Sequence, residues 1–248
     1  LGQAFTEKTV YANMRRFIIL KIFKYIFISN KSYLIVQNSY DLNEIIERNV
    51  IDRNRLFLIK GSGVNLNEFP FTEEKNTDIP RVILASRLLW EKGIKQFVDA
   101  ARILKNNKIN VRFILVGDTH ESNPRSVPKN IIKKWVKNDL IEWWGRKENM
   151  PQIISECKIV CLPTDYGEGV PKILLESAAM GRALVVSDNP GCREIVTDRV
   201  SGLIAKGGAP EEIARCIKEL LTDSELRKNL ILGAHNKIVK EFSSKIII

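Results

Sequence analysis

From Tyr33 onward the chain alternates short apolar runs with helical patterns, and this alternation constrains the fold more than any other feature. The runs are "YLIVQNS", "LFLIKGSG", "RVILASR", "VRFILVGD", "IEWWG", "KIVCLPT" and "ALVVSD". Most close on Gly, Ser, Asn or Asp, and none reaches the ~20 residues needed to cross a bilayer. Strands apolar on both faces belong in a parallel sheet covered on both sides. Patterns such as "KGIKQFVDAARILKNN" and "MPQIISEC" supply the covering helices. The expected fold is therefore α/β, with a doubly wound parallel sheet. Ligands of such sheets gather outside the carboxyl ends of the strands. The segments after "RVILAS" and "KIVCLPT" lie at such ends.

A length of 248 residues allows one large domain or two smaller ones. "GSGVN" (61–65) is a flexible turn, and "PFTEEKNTDIP" (70–80) is polar and bracketed by prolines, so a boundary is expected there. Residues 1–62 hold too few elements for a domain. They are expected to be the end of an amino-terminal domain whose beginning is absent, and residues 63–248 the ligand-binding domain. The stretch from Arg15 to Ile28 is apolar almost all round, is broken by Lys21 and Lys24, and is flanked by Arg15, Arg16 and Lys31. It suits either packing against the rest of its domain or lying in a membrane interface.

The net charge of +10 points to an anionic partner: nucleic acid, a lipid headgroup surface or a phosphorylated small molecule. No aromatic–basic platform or known binding motif supports nucleic acid, which is set aside. No G-x-G-x-x-G follows a strand, which argues against a dehydrogenase. Cys157, Cys161, Cys192 and Cys216 have no zinc-type spacing and read as buried free thiols; no metal site is expected. His120 and His235 read as surface residues.

Two segments carry chemistry. In "TDYGEGVPKILLESAAMG" (164–181) Glu168 and Glu176 flank a proline. A helix opening at Pro171 leaves Glu168 on the preceding loop and places Glu176 in the second turn. Val170 has no side-chain oxygen to cap the first amides. The N–H groups of Lys172 and Ile173 are thus available either as a seat for phosphate, to which Lys172 adds a mobile charge, or to capping by water. In "SRLLWEKG" (86–93) Arg87 and Lys92 bracket a turn where they would grip a diphosphate, Arg by its planar fork and Lys as a point charge.

"ASRLLWEKGI", "FILVGD", "IEWWGRKENM", "YGEGVPKILLESAAMGRALVVSDNPGCREIV" and "SGLIA", in this order, resemble the retaining GT-B glycosyltransferases of family four. The likeness is strongest to the branch that builds O-antigen, capsule and related glycans on polyprenyl diphosphate. The Glu-x7-Glu element, here Glu168 and Glu176, is that family's signature. The resemblance implies a donor-binding Rossmann-like domain beside the remnant of a second one. It also implies a nucleotide-diphosphate sugar as donor, a UDP-sugar by preference, and a glycan or lipid-linked glycan as acceptor. Arg87, Lys92 and Glu168 would be the catalytic residues. Arg87, Lys92, Glu168, Gly169, Val170, Pro171, Lys172 and Glu176 would bind the donor, without metal. Glu168 would face the sugar and Glu176 the ribose hydroxyls. A cytoplasmic protein, peripheral on the inner face of the cell membrane, is implied. The family's amino-terminal Gly-rich loop and acceptor contacts have no match here, so the missing amino-terminal segment is expected to be needed. A nucleotide-sugar-binding remnant without transfer is the competing reading.

Overall fold

The computed structural model describes residues 10–27, 32–165, 167 and 169–247. Helix α1 (Val10–Phe27) precedes strand β1 (Leu34–Val36), helix α2 (Ser39–Glu47) and strand β2 (Leu56–Leu58). The two strands pair in parallel, with Leu34 opposite Leu56 and Val36 opposite Leu58. Val36, Ile45, Val50, Ile51 and Leu56 form a small core beneath them, against which Leu20, Phe23 and Phe27 of α1 pack. Phe17, Ile18, Ile22, Tyr25 and Ile26 are exposed. Among the described residues no helix is long and apolar enough to cross a membrane.

The larger unit starts with β3 (Arg81–Ala85), followed by α3 (Ile94–Asn106), β4 (Arg112–Val116), α4 (Lys129–Lys137), β5 (Glu142–Gly145) and α5 (Met150–Ser155). Next come β6 (Ile159–Leu162), α6 (Lys172–Ala179), β7 (Ala183–Ser187), α7 (Pro190–Ile195) and β8 (Leu203–Ala205). Helices α8 (Pro210–Thr222), α9 (Ser224–Glu241) and α10 (Ser244–Ile247) close the chain. The sheet has six parallel strands in the order β5-β4-β3-β6-β7-β8. Winding runs outward in both directions from β3 and β6, the doubly wound arrangement expected from the sequence. Its switch point, where a crevice opens between diverging connections, lies between those two strands.

The strand residues explain this placement. Every residue of β6 and β7 is buried, as central strands covered on both faces require. One face packs against α3, whose Ile94, Phe97, Val98, Ala101 and Leu104 repeat at helical spacing, and against α8. The other packs against α6 and α9 through Leu174, Leu175, Ala178, Ala234 and Ile238. Each fully buried Leu or Phe contributes about 1.5–3 kcal/mol.

The crossover between the units is fastened to the larger one. Arg182 is fully buried, and its guanidinium donates to the carbonyls of Met180, Cys157 and Thr72 and to Thr72 Oγ1. Glu74 pairs with Arg227 at 3.0 Å. Segment 72–74 is thereby held, while the smaller unit meets the larger one elsewhere. The Ser39 N–H donates to Glu194 Oε1 at 2.6 Å, and Lys60 lies 3.7 Å from Glu194 and 3.1 Å from Glu241.

All four cysteines are buried thiols outside any disulfide, as expected. Burial pushes the Cys157 thiol up to about 12 and the Cys216 thiol up to about 11, so neither serves as a nucleophile near neutral pH. His235 corrects its sequence reading. It is half-buried, its Nδ1 lies 2.9 Å from the Ala179 carbonyl oxygen, and its ring meets Phe71 edge-on.

Candidate functional site at the switch point

The loops leaving β3 and β6 touch at the switch point. After β3, Trp90–Lys92 form a single 3-10 turn that ends at Gly93 in the left-handed region (φ 75°) and leads into α3. A Cβ on Gly93 would stand 2.0 Å from the Pro163 carbonyl oxygen, so only glycine permits this approach. The Glu91 carbonyl then accepts from the Thr164 hydroxyl (3.1 Å) and the Asp165 N–H (3.0 Å). The Thr164 carbonyl accepts in turn from Ser187 Oγ at the end of β7. Three strand ends are thus tied together through the backbone carbonyls of Glu91 and Thr164, and the two candidate segments form one surface.

Lys92 lies within this surface, only 8% exposed, whereas Arg87 is exposed on its rim. The structure brings Lys92 beside the 163–171 loop through the Gly93–Pro163 contact. The crowding on the other side has the same character. A Cβ on Gly117, at the end of β4, would meet the Ser86 carbonyl oxygen at 1.9 Å.

Helix α6 starts one residue later than the proline rule implies. Pro171 takes the capping position with extended backbone, and Lys172 is the first helical residue. The Pro171 carbonyl accepts from the N–H of Leu174 (3.1 Å) and of Leu175 (3.4 Å). Pro171 supplies no side-chain cap, and the amides of Lys172 and Ile173 lack intrahelical partners, as at any helix start. They remain directed outward at the positive end of the helix dipole. Gly169 and Val170 lead directly into this start. Glu168, like Tyr166, lies outside the described residues.

Glu176 is buried at 5% exposure one turn into α6, with Lys172 Nζ at 3.3 Å from its Oε1. Burial pushes its carboxyl above the ordinary range; Lys172 beside it pulls the other way, and the Glu68 carboxylate adds to the rise. A buried carboxylate whose cationic partner is itself exposed has spare acceptor capacity, which suits a ligand with paired hydroxyls.

Asp165 is a residue that sequence reasoning did not place in the site. Its backbone is anchored at Glu91, and its Oδ2 accepts from Gln96 Nε2 of α3 at 2.9 Å. Desolvation raises its carboxyl above the usual range, against the lowering effect of the Gln96 bond. The only signal in the sequence was its place directly after an apolar strand.

Known proteins share the sequence pattern and the fold. Residues 66–237 match the profile described as glycosyl transferases group 1. The chain is 32% identical over 247 residues to the N,N'-diacetylbacillosaminyl-diphospho-undecaprenol alpha-1,3-N-acetylgalactosaminyltransferase of Campylobacter jejuni, an alignment covering 94% of this chain and 62% of that relative. A glycosyltransferase from Rickettsia africae is similar in structure with a TM-score of 0.78 at 18% identity, over 91% of this chain and 64% of that one. Anabaena HepE in complex with UDP-glucose is similar with a TM-score of 0.77 at 18% identity, over 92% and 64% of the two chains. The structural likenesses establish the fold, a Rossmann-like sheet of the GT-B type. This chain spans about three fifths of the length of the Campylobacter relative.

Proposed function

The chain belongs to the glycosyl transferases group 1 family, and on that premise we propose that it takes a sugar from a nucleotide diphosphate and passes it, with retained configuration, to a glycan acceptor on polyprenyl diphosphate. Residues 63–248 are the donor-binding domain in this reading, and residues 1–62 belong to the acceptor side. The names of the relatives favour UDP as the nucleotide and an N-acetylhexosamine as the sugar. The observation that carries the proposal is the union of two strand ends at the switch point. One supplies Arg87 and Lys92, the other supplies uncapped helix amides and a buried glutamate.

Each group has a role that follows from its chemistry. Breaking the bond between the sugar and the diphosphate leaves an electron pair on the departing oxygen. Lys92 and Arg87 neutralise that developing charge, and the Lys172 and Ile173 amides share the load. These cations do the work that a divalent ion does elsewhere, so donor binding is expected to persist in EDTA. Glu176 accepts the two ribose hydroxyls. Glu168 faces the sugar hydroxyls, and Gly169, Val170 and Pro171 carry the loop between the two acids.

The acceptor is membrane-bound in this reading, which places the protein in the cytoplasm against the inner face of the cell membrane. The exposed apolar residues of α1, with Lys21 and Lys24 among them, are the contact surface. Each basic residue near an anionic leaflet contributes about 1 kcal/mol. Flotation with liposomes of increasing anionic lipid content checks this contact, and indifference to lipid charge counts against it.

A calorimetric screen of the chain against a panel of nucleotide sugars in EDTA tests the donor assignment, followed by radiolabelled transfer to a polyprenyl-diphosphate sugar. Binding of a UDP-sugar together with a labelled lipid product supports the whole proposal. Binding without transfer leaves a nucleotide-sugar-binding protein. Failure to bind any nucleotide sugar refutes the donor site.

A further inference from the structure

Gly169 sits immediately ahead of the helix start that receives the diphosphate, and its glycine identity needs a reason. The reason is a neighbour. A Cβ at Gly169 would stand 2.2 Å from Gln37 Oε1, 3.2 Å from Gln37 Cδ and 3.3 Å from Gln37 Cβ. Gln37 directly follows β1 and belongs to the smaller unit. Val170 is met in the same way: a Cβ on Gly61 would stand 2.9 Å from the Val170 Cβ. Two consecutive residues of the donor loop are therefore each touched by a separate segment of chain preceding residue 62.

Those segments are fixed where they make these contacts. Glu194 of α7 accepts the N–H of Ser39, two residues beyond Gln37, and lies 3.7 Å from Lys60, one residue before Gly61. Lys60 also pairs with Glu241 of α9 at 3.1 Å. The smaller unit is thus pinned to two helices of the larger one on both sides of its contact with the loop.

We infer that Gln37 is a positioning residue for the donor site: its side chain, pressed against Gly169, sets the path of the backbone into the α6 amides and so couples the smaller unit to diphosphate binding. The inference rests on the donor assignment proposed above. It predicts a specific non-additivity, because a methyl group at residue 169 is harmful only while the Gln37 side chain occupies the space. The Oε1 is the far end of a flexible side chain, but Gln37 Cδ and Cβ crowd the same space at 3.2 and 3.3 Å, so moving the Oε1 alone does not clear it and the loop shifts.

The test is a double-mutant cycle on the full chain with Gly169→Ala, Gln37→Ala and both together, titrated with UDP and with UDP-N-acetylgalactosamine. Gly169→Ala is expected to lower affinity about tenfold, which is ~1.4 kcal/mol. The double variant is expected to bind within about threefold of Gln37→Ala alone, a coupling of the size seen between touching residues. Thermal midpoints of all four proteins accompany the titrations. Should Gly169→Ala fail to fold while the double variant folds, the contact is established through stability instead. Additive losses, or a double variant as impaired as Gly169→Ala, overturn the inference while ordinary UDP binding by the wild-type chain upholds the donor site. No UDP binding by the wild-type chain overturns both.

Discussion

At the carboxyl end of the six-stranded sheet Arg87 is exposed, Lys92 lines the junction of two loops, and α6 begins without a side-chain cap. At the amino end Lys105 and Arg112 are paired, as Lys172 is with Glu176 at the carboxyl end. Lys105 donates to the carbonyls of Asn138 and Asp139 and to the Asp139 carboxylate at 2.8 Å, and Arg112 lies 3.4 Å from Glu142. The amino end also contains a cavity of about 320 Å³, lined by Ile79, Ala101, Lys105, Arg112, Asp139 and Glu142 among others. Cavity size does not decide between the ends, since cavities of about 350, 430 and 490 Å³ lie elsewhere among the described residues. Chemistry favours the carboxyl end, because an incoming anion needs donors and Pro171, at the start of α6, offers the first amides no side-chain acceptor. Helix polarity points the same way, since parallel βα units direct helix N-termini to the carboxyl end and C-termini to the amino end.

The largest effect that would sharpen this contrast is expected at Glu176. Glu176→Ala removes a buried acceptor and should weaken UDP about 10–100-fold, from ~1.5–3 kcal/mol for a charged hydrogen bond. Titration calorimetry reads it directly. Glu168→Ala should mainly relax discrimination between sugars and leave UDP affinity near that of the wild type. Equal losses of UDP affinity in the two variants would break the division of roles.

A smaller effect is expected from pH. The folded-state carboxyl of Glu176 is raised by burial, so the folded chain holds that proton more readily than the unfolded one. Its contribution to stability therefore improves as pH falls through the raised value and is complete below the ordinary carboxylate range. On the role proposed for Glu176, binding runs the other way, because the ribose hydroxyls would need the ionised form. UDP affinity should fall by several-fold as pH drops through that same window, while the melting midpoint does not fall with it on this residue's account. Glu176→Gln should flatten the binding profile. At the amino end the Lys105 hydrogen bond lowers the Asp139 carboxyl, so its small stabilising contribution has the opposite slope, present above the ordinary carboxylate range and lost as pH falls through the lowered value.

The smallest effect is expected where the amino end is altered. Asp139→Asn breaks an exposed ion pair, a loss of under ~1 kcal/mol, and should leave UDP affinity unchanged. A change in UDP binding beyond twofold would show that the two ends communicate.

What was legible beforehand follows from what is local. The strands of the larger sheet, the carboxyl-end location and the Arg87, Lys92, Lys172 and Glu176 positions all follow from runs, spacings and a proline within short windows. The helix start was displaced by one residue because Pro171 suits either the cap or the first turn, and only the carbonyl that accepts from Leu174 decides between them. Strand order, the Gly93–Pro163 approach, the Gln96–Asp165 bond and the Arg182 clamp join residues some 18 to 110 positions apart. Such contacts leave no periodic trace in a single sequence. His235 was misread for the same reason, since its partners Phe71 and Ala179 are remote in the chain.

The central claim is that the carboxyl end, at the switch point between β3 and β6, holds the nucleotide diphosphate. It is tested most directly by titrating UDP into Lys92→Ala and Lys105→Ala side by side, in EDTA and at constant ionic strength. The account predicts at least a tenfold loss of affinity for Lys92→Ala and wild-type affinity for Lys105→Ala. Wild-type affinity in Lys92→Ala, with the loss appearing in Lys105→Ala, would contradict it.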